Sequence, residues 1–425
     1  MRARRPDPKK RERGVALIIA VVSIAILTAV ATQFVYTSRV DLQMAANHRD
    51  DTRAYYMARS GIALSRLLLT FQKQVDNIQI PPEIAGMLGM GGAAVNGVPP
   101  PSGLNLKLYE MARIDCYMLQ AMVPPTEEME AAEASKSESE LRAEGFEDGE
   151  GGYLSAPPAR NFGGFSGCFN VEIEPEEPKI NLNALDVGRG NVDQLVMLLS
   201  EKRFEFLFAK EDANGVKVAP TDLIINIQDW RDPDETQEAL DLSGTSPLPF
   251  QNGFSDENSE YSRYDPRYEA KNANFDSLDE LYMVHGVNDR FMAAFRDRLT
   301  VYTDPNALPN IDTNDTVLLI RAIWAVTDPV KDPRLRDPLF LSELVEKIRA
   351  QRAMSFFGTS VQDFLAVLQA NGVEVRSTAA NGLSDKNNTF TIKSYGEAGS
   401  VKKTITAVVR MDKGGLGQLV YWREE

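Results

Sequence analysis

The chain has two histidines and two cysteines in 425 residues. That scarcity removes whole classes of chemistry. No H-E-x-x-H pair, phosphate loop or ordered Ser-His-Asp set appears. His48 falls on the N-terminal apolar-to-polar helix and His285 stands before a turn glycine. Carboxylates are plentiful, but abundance is not a general acid–base pair, so no enzyme activity is expected. Bases are also short: 46 Lys and Arg face 61 Asp and Glu, a net charge of -15. Phosphate backbones need a basic face, so nucleic acid is not an expected partner. Cys116 and Cys168 can form one disulfide if they reach an oxidising compartment, or stay as two buried thiols. Their spacing does not decide between the two.

Charge is missing altogether between Gly14 and Ser38, directly behind a leader with seven Lys or Arg and two Asp or Glu. Val15–Tyr36 is long enough, as a helix of roughly 33 Å, to cross one hydrocarbon core. The basic flank should stay cytoplasmic and the remaining chain should face outward. A secretory signal would have a shorter core with a small-residue cleavage site after it. Thr37 to Phe71 contains no proline and only Gly61. The apolar pattern of Tyr55, Ile62 and Leu69 continues at helical spacing. We expect one helix over about residues 15–72, half in lipid and half in water.

Beyond it, residues 81–103 hold eleven Gly or Pro and read as a loop. Residues 107–123 alternate Ile114, Cys116 and Met118 as a first strand, and CFNVEIE at 168–174 alternates as a second. Between Glu127 and Glu150 lie ten acids and two bases, a solvated surface loop within 124–167. From about 179 to 375 the period turns helical. Segments at 191–204, 222–230, 277–299, 316–326, 340–354 and 361–373 are expected helices, the last closed by Gly372. From 389 the period returns to two, with a hairpin turning at Glu397–Gly399 and a last strand at GQLVYW. Strands on both sides of a helical block of almost 200 residues imply an inserted domain.

A glycine ahead of the apolar run, with charge before it and none after, resembles the type IV prepilin leader. The resemblance implies cleavage by a prepilin peptidase between Gly14 and Val15. It also implies N-methylation of the new terminus, which is here Val15 where that family usually has Phe. The fifth mature residue of that family is usually Glu, thought to pair in the membrane with the ammonium of the subunit ahead. Here it is Ile19, which marks a subunit with nothing ahead of it. Inside the helical block, KINLNAL (179–185), IQDWRDPDETQ (227–237) and YEAKNANFDSLDELYMVHGV (268–287) resemble, in that order, the type II secretion minor pseudopilin K family. LPNIDTND (308–315) takes the place of a second Asn motif, departing from it at Pro309 and Asp312. In both motifs an apolar residue, Leu182 or Ile311, sits between capping side chains, a weak internal repeat.

The resemblance implies an α+β fold, with a pilin-like long N-terminal helix packed on a small antiparallel sheet and a large all-α insertion. The implied divisions are a leader (1–14), a transmembrane half-helix (15–36), a periplasmic half-helix (37–72) and pilin-like α/β parts (104–178 and 376–425). These last flank an insertion at 179–375. The implied function is a subunit at the tip of the type II secretion pseudopilus, in the inner membrane with its bulk in the periplasm. The implied partners are two smaller minor pseudopilins touching the helix at Tyr55, Ile62 and Leu69, the major pseudopilin, the inner-membrane secretion platform and the peptidase. A type IV pilus minor pilin and an unprocessed membrane-anchored periplasmic binding protein are the rival readings. Asp229, Asp232, Asp234 and Glu235 offer oxygens for calcium, which relatives in that assembly bind. Asp256 with Glu257, or Asp265 with Glu269, could close such a site. The same residues also read as a solvated acidic loop. SLDELYMVHGVNDRF has the form of a helix-hairpin-helix that can hold DNA phosphates, but a structural hairpin fits so acidic a chain.

Overall fold

An uninterrupted run of helix formers, free of proline, gives α1, Lys9–Asp76. The computed structural model describes residues 9–77, 107–116 and 167–425, apart from 210, 212–214, 216, 243–245, 247, 355–357 and 412–414. The expected loop at 81–103 lies outside these residues, as do the acidic run at 127–150 and Met118.

The contacts divide the chain into two units. The first holds the early part of α1 to Gly61, residues 115–170 and the hairpin tip 395–404. Within it Ala54, Met57 and Ala58 are buried, and Asp51 pairs with Lys403 at 3.1 Å. Cys116 and Cys168 are joined in a disulfide, their Cα atoms 5.3 Å apart.

The second unit holds the end of α1, residues 62–114, 171–394 and 405–425. A four-stranded sheet runs in the order β1-β6-β7-β8, with β1 Cys168–Pro175, β6 Thr389–Ala398, β7 Val401–Arg410 and β8 Gln418–Glu424. The β6–β7 hairpin turns at Gly399–Ser400, and β8 adds antiparallel to β7 with an irregularity at Val408/Val409. The expected strand at 107–123 is not what the described part shows. Leu108–Met111 is a single helical turn, α2, and Asp115 makes one isolated bridge to Asn170. Tyr109 explains the turn: it is buried, edge-on to Phe390 at 5.1 Å, and a continuous strand would alternate it outward.

Between β1 and β6 the chain builds two helical cores. The first begins at β2 (Ile180–Asn181) and continues through α3 (Arg189–Leu199), α4 (Glu205–Phe208) and α5 (Pro220–Asp229). It returns through α6 (Asp289–Phe295) to β5 (Leu299–Thr300), which lies parallel to β2. An antiparallel hairpin, β3 (Thr236–Leu240) and β4 (Phe250–Asp256), is set into this half. The insertion is therefore not purely helical: β3 carries no apolar alternation, so its pairing left no sequence signal. The second core contains α7 (Thr316–Val326), α8 (Pro338–Met354) and α9 (Val361–Ala370), whose bounds follow the apolar periodicity closely.

The two halves open alike. Asn181 accepts the Asn183 N–H at 2.8 Å and Asn310 accepts the Asp312 N–H at 2.6 Å. The residues between, Leu182 and Ile311, are fully buried, one in each core. Each Asn also donates to the returning chain, Asn181 to the Thr303 carbonyl and Asn310 to that of Lys386. Asn310 further forms a parallel bridge with Ser384, the counterpart of β2–β5.

Candidate cation centre and membrane helix

α5 ends where its last polar residues turn inward. Asp229 is buried and accepts the Glu238 N–H at 2.9 Å, which fastens β3 to the helix end. The following turn points Asp232 into the same space, while β4 leads into a 3-10 turn that buries Glu257. Asn272 adopts a left-handed backbone (φ 51), donates to the Asp234 carbonyl and brings its side-chain oxygen to this region. Both oxygens of Asp232, both of Glu257, Oε2 of Glu238 and Oδ1 of Asn272 are buried without a hydrogen-bond partner. Native proteins leave few such atoms, so a cluster of them calls for a counter-charge. The neighbouring cation supplies only part of it: Arg231 acts on Asp232, but it also pairs with Asp186 at 3.0 Å and donates to Gln228.

The electrostatics agree. Burial pushes Asp229 up to about 8, helped by repulsion from Asp232 and Glu257. Burial likewise lifts Asp232 to about 7, with Asp234 and Glu238 adding to it, and Glu257 to about 7, with Asp232 adding. Acceptor oxygens of this hardness suit a calcium-like ion. Among the described residues, no three His, Cys, Asp or Glu side chains already stand in metal-ligand geometry.

The structure redistributes the four residues expected from sequence. Asp232 faces the cluster with both oxygens unpartnered, and Asp229 lines it with one oxygen committed. Asp234 is exposed and accepts the Thr236 N–H at 2.7 Å, and Glu235 contributes its carbonyl to the Glu257 N–H. Of the residues expected to complete a site, Asp256, Asp265 and Glu269 are exposed, and Glu257 is buried with both oxygens unpartnered. Glu238 and Asn272 were missed, because only the β3–β4 pairing and the left-handed turn deliver them.

On α1, Val15–Asp76 contains a window of mean hydropathy 2.7, none of it buried, long and apolar enough to cross a membrane. Gly14 lies within the helix, and Val15 and Ile19 are exposed. Farther along, the stripe expected to meet partners is turned inward. Ile62 and Leu69 are buried at 3% and 0% exposure, and Tyr55 is half-buried. The outward face carries Tyr56, Leu67 and Phe71 instead. An a/d-like stripe is the helix's most apolar face, so its own fold claims it first.

These features define an α+β protein with a long apolar N-terminal helix, an antiparallel sheet and a double helical insertion. No protein-family model and no curated protein matches the chain. Among solved structures it is similar to a chain in the crystal structure of the GspK-GspI-GspJ complex from the enterotoxigenic Escherichia coli type 2 secretion system. The identity is 17%, with 64% of this chain and 84% of that one covered and a TM-score of 0.40.

Proposed function

We propose that the chain is a minor pseudopilin that caps the tip of a type II secretion pseudopilus. The observation that carries this reading is the composition of α1: its apolar segment holds no carboxylate, and the fifth position after Gly14 is Ile19. A subunit without that carboxylate offers no partner to an ammonium ahead of it. The segment after Gly14 stays in the inner membrane until assembly, with the globular part in the periplasm. Two smaller minor pseudopilins pack on the exposed α1 face at Tyr56, Leu67 and Phe71. The major pseudopilin, the secretion platform and the prepilin peptidase are the other partners. Calcium is held by Asp232 and Glu257, with Glu238 and Asn272 at its edge, and supplies the counter-charge that these oxygens lack.

Mass spectrometry of the N-terminus from membranes containing a prepilin peptidase tests the reading. A chain beginning at Val15 is expected. An intact Met1–Gly14 leader would exclude pilin-type processing. Ile19→Glu is expected to leave the head folded and to displace the chain from the tip, read by crosslinking; unchanged crosslinks and secretion would remove Ile19 from the argument.

A further inference from the structure

Segment 257–272 leaves the cation centre and comes back to it. It starts at Glu257, whose two oxygens are buried without a partner, and ends at Asn272, whose Oδ1 is likewise unpartnered. The two ends are tied together, because the Asn258 side chain accepts the Ala270 N–H at 2.9 Å. The Asn272 N–H donates to the Trp230 carbonyl at 3.0 Å, which fixes it to the end of α5. Between these ties lie two short 3-10 turns, Glu257–Ser259 and Tyr261–Arg263. Turns of this length hold few internal bonds, so the loop depends on what it touches.

What it touches is a histidine. His285 is buried in the turn between the 3-10 helix Leu278–Met283 and α6. The Tyr264 hydroxyl stands 2.9 Å from its Nδ1, and a Glu260 carboxylate oxygen stands 3.5 Å from its Nε2. Farther along the loop, the Tyr268 hydroxyl donates to the Met283 carbonyl at 2.9 Å. The turn is pinned from behind. Asn226 of α5 donates to the His285 carbonyl at 3.1 Å, and Gly286 lies against Val218. Because α5 also carries Asp229, helix, turn and loop form a closed circuit around the centre.

When neutral, the ring faces the carboxylate with a protonated Nε2, which leaves Nδ1 to accept the Tyr264 hydroxyl. Tyr261 and Tyr268 pack in the same aromatic cluster as Tyr264. Burial pushes both up, Tyr268 to about 12, so they stay neutral. Arg263 pairs with the same Glu260 at 3.1 Å, but its side chain is exposed and such pairs are weak. A second proton on the ring therefore meets a carboxylate, and the contact becomes charge-assisted, with the Tyr264 oxygen turned acceptor. An ordinary histidine gains its charge below about pH 6.5, well above where an ordinary glutamate loses its own. Mild acid thus sets opposite charges face to face, and the gain is lost as pH rises through the titration of the ring.

We propose that His285 is a proton-operated clasp on the cation loop. Charged, it draws Glu260 and holds segment 257–272 closed; neutral, it leaves the loop to Tyr264 and to the bound ion. The proposal rests on the cation reading only for what the loop covers, since Glu260, Tyr264 and His285 are not among the proposed ligands. His285 is a positioning residue: it acts on Glu257 through the loop.

Hydrogen–deuterium exchange of the full chain in detergent micelles, read by mass spectrometry of peptides covering 257–272, tests it. The amides of Tyr264, Ala270 and Asn272 are hydrogen-bonded, so their exchange reports loop opening. In calcium-free buffer, after correction for intrinsic exchange, the parent loop is expected to be several-fold more protected at about pH 5.5 than at about pH 7.5. Part of that rise belongs to the centre itself, because protonating Asp232 and Glu257 relieves their repulsion. His285→Gln, which keeps a neutral donor and acceptor, should remove the remainder. Glu260→Gln should remove the same portion, and the double variant no more than either. Unchanged protection of α9 shows that the variants fold, and Glu260→Gln, at a partly exposed position, decides the matter if His285→Gln unfolds. Full pH dependence surviving in Glu260→Gln, or in folded His285→Gln, would overturn the clasp. Calcium at the higher pH should protect the loop in all four chains. If calcium protects none of them while the histidine-dependent portion is seen, the cation reading falls and the clasp stands.

Discussion

The first and second helical halves start from the same turn and part company two residues later. Asn183 in the first half is matched by Asp312 in the second. Asn183 uses both ends of its amide inside its own half: it donates to the carbonyls of Phe275 and Val301 and accepts the Phe275 N–H, each at 2.9 Å. A carboxylate cannot donate, so Asp312 must be met by donors. Asn387 donates to it at 2.7 Å, and Lys107 pairs with it from the segment that precedes α2. One atom of difference keeps the Asn183 side chain within its own half and ties Asp312 to Lys107, 205 positions earlier. In the sequence Asp312 is a departure from a motif; in the fold Lys107 and Asn387 compensate for it.

The sharpest break of this comparison is Asn183→Asp. It would bury a charge against two carbonyls and is expected to cost about 3–5 kcal/mol in urea unfolding of the full chain. The converse change, Asp312→Asn, keeps one acceptor but turns its amide N–H groups on either Lys107 or Asn387, and should cost less, about 1–3 kcal/mol. Equal costs would show that the halves are not distinguished by this residue. Calcium should separate the halves next. At about a hundredfold excess over the dissociation constant it should stabilise the chain by roughly 2.7 kcal/mol. Asp232→Asn or Glu257→Gln should remove that gain, seen as loss of the difference between melts in calcium and in EGTA. A gain that survives both substitutions would place the ion elsewhere.

The turn glycines sharpen the contrast further. Both are left-handed, so alanine costs about 1 kcal/mol at Gly372, where a Cβ meets nothing within 4 Å. At Gly286 the same Cβ would stand 2.8 Å from Val218 Cγ2, adding about 1–3 kcal/mol. Similar melting temperatures for the two variants would contradict the covered and open turns. Outside both halves, the smallest effect concerns Glu177 beside β6. Burial pushes it up to about 7 although it accepts the Thr389 N–H at 2.7 Å. The unfolded chain ionises near the usual glutamate value, so the native state holds the extra proton and loses stability as pH rises towards 7. Glu177→Gln should match the parent in acid and exceed it above pH 7, measured by thermal melts across that range.

Much of this architecture is legible in the residues. The helices 316–326 and 361–370 follow their apolar spacing, and Gly372 stops the latter because it can take φ 70 at no steric cost. The Asn-turns at 181 and 310 could be read because a side-chain acceptor two residues ahead of an amide is a local event. Tyr55, Ile62 and Leu69 are expected to face partner subunits, whereas Ile62 and Leu69 are buried within the chain and Tyr55 is half-buried. Periodicity tells which face is apolar, not whether the chain or a partner covers it. The strand expected near residue 110 failed for a related reason: alternation at Ile114 and Cys116 is local, whereas Tyr109 answers to Phe390, far along the chain.

By itself the sequence determined that an uncharged helix leads an acidic chain, and that two similar turns each launch a helical core. Those properties depend on neighbours within a turn or two of helix. Only the tertiary structure decided that Asp232, Glu238 and Glu257 share one buried space and that Asp312 finds Lys107. Each of those needs segments that the chain brings together only by folding, and charge, volume and donor count are balanced at that distance rather than along the sequence.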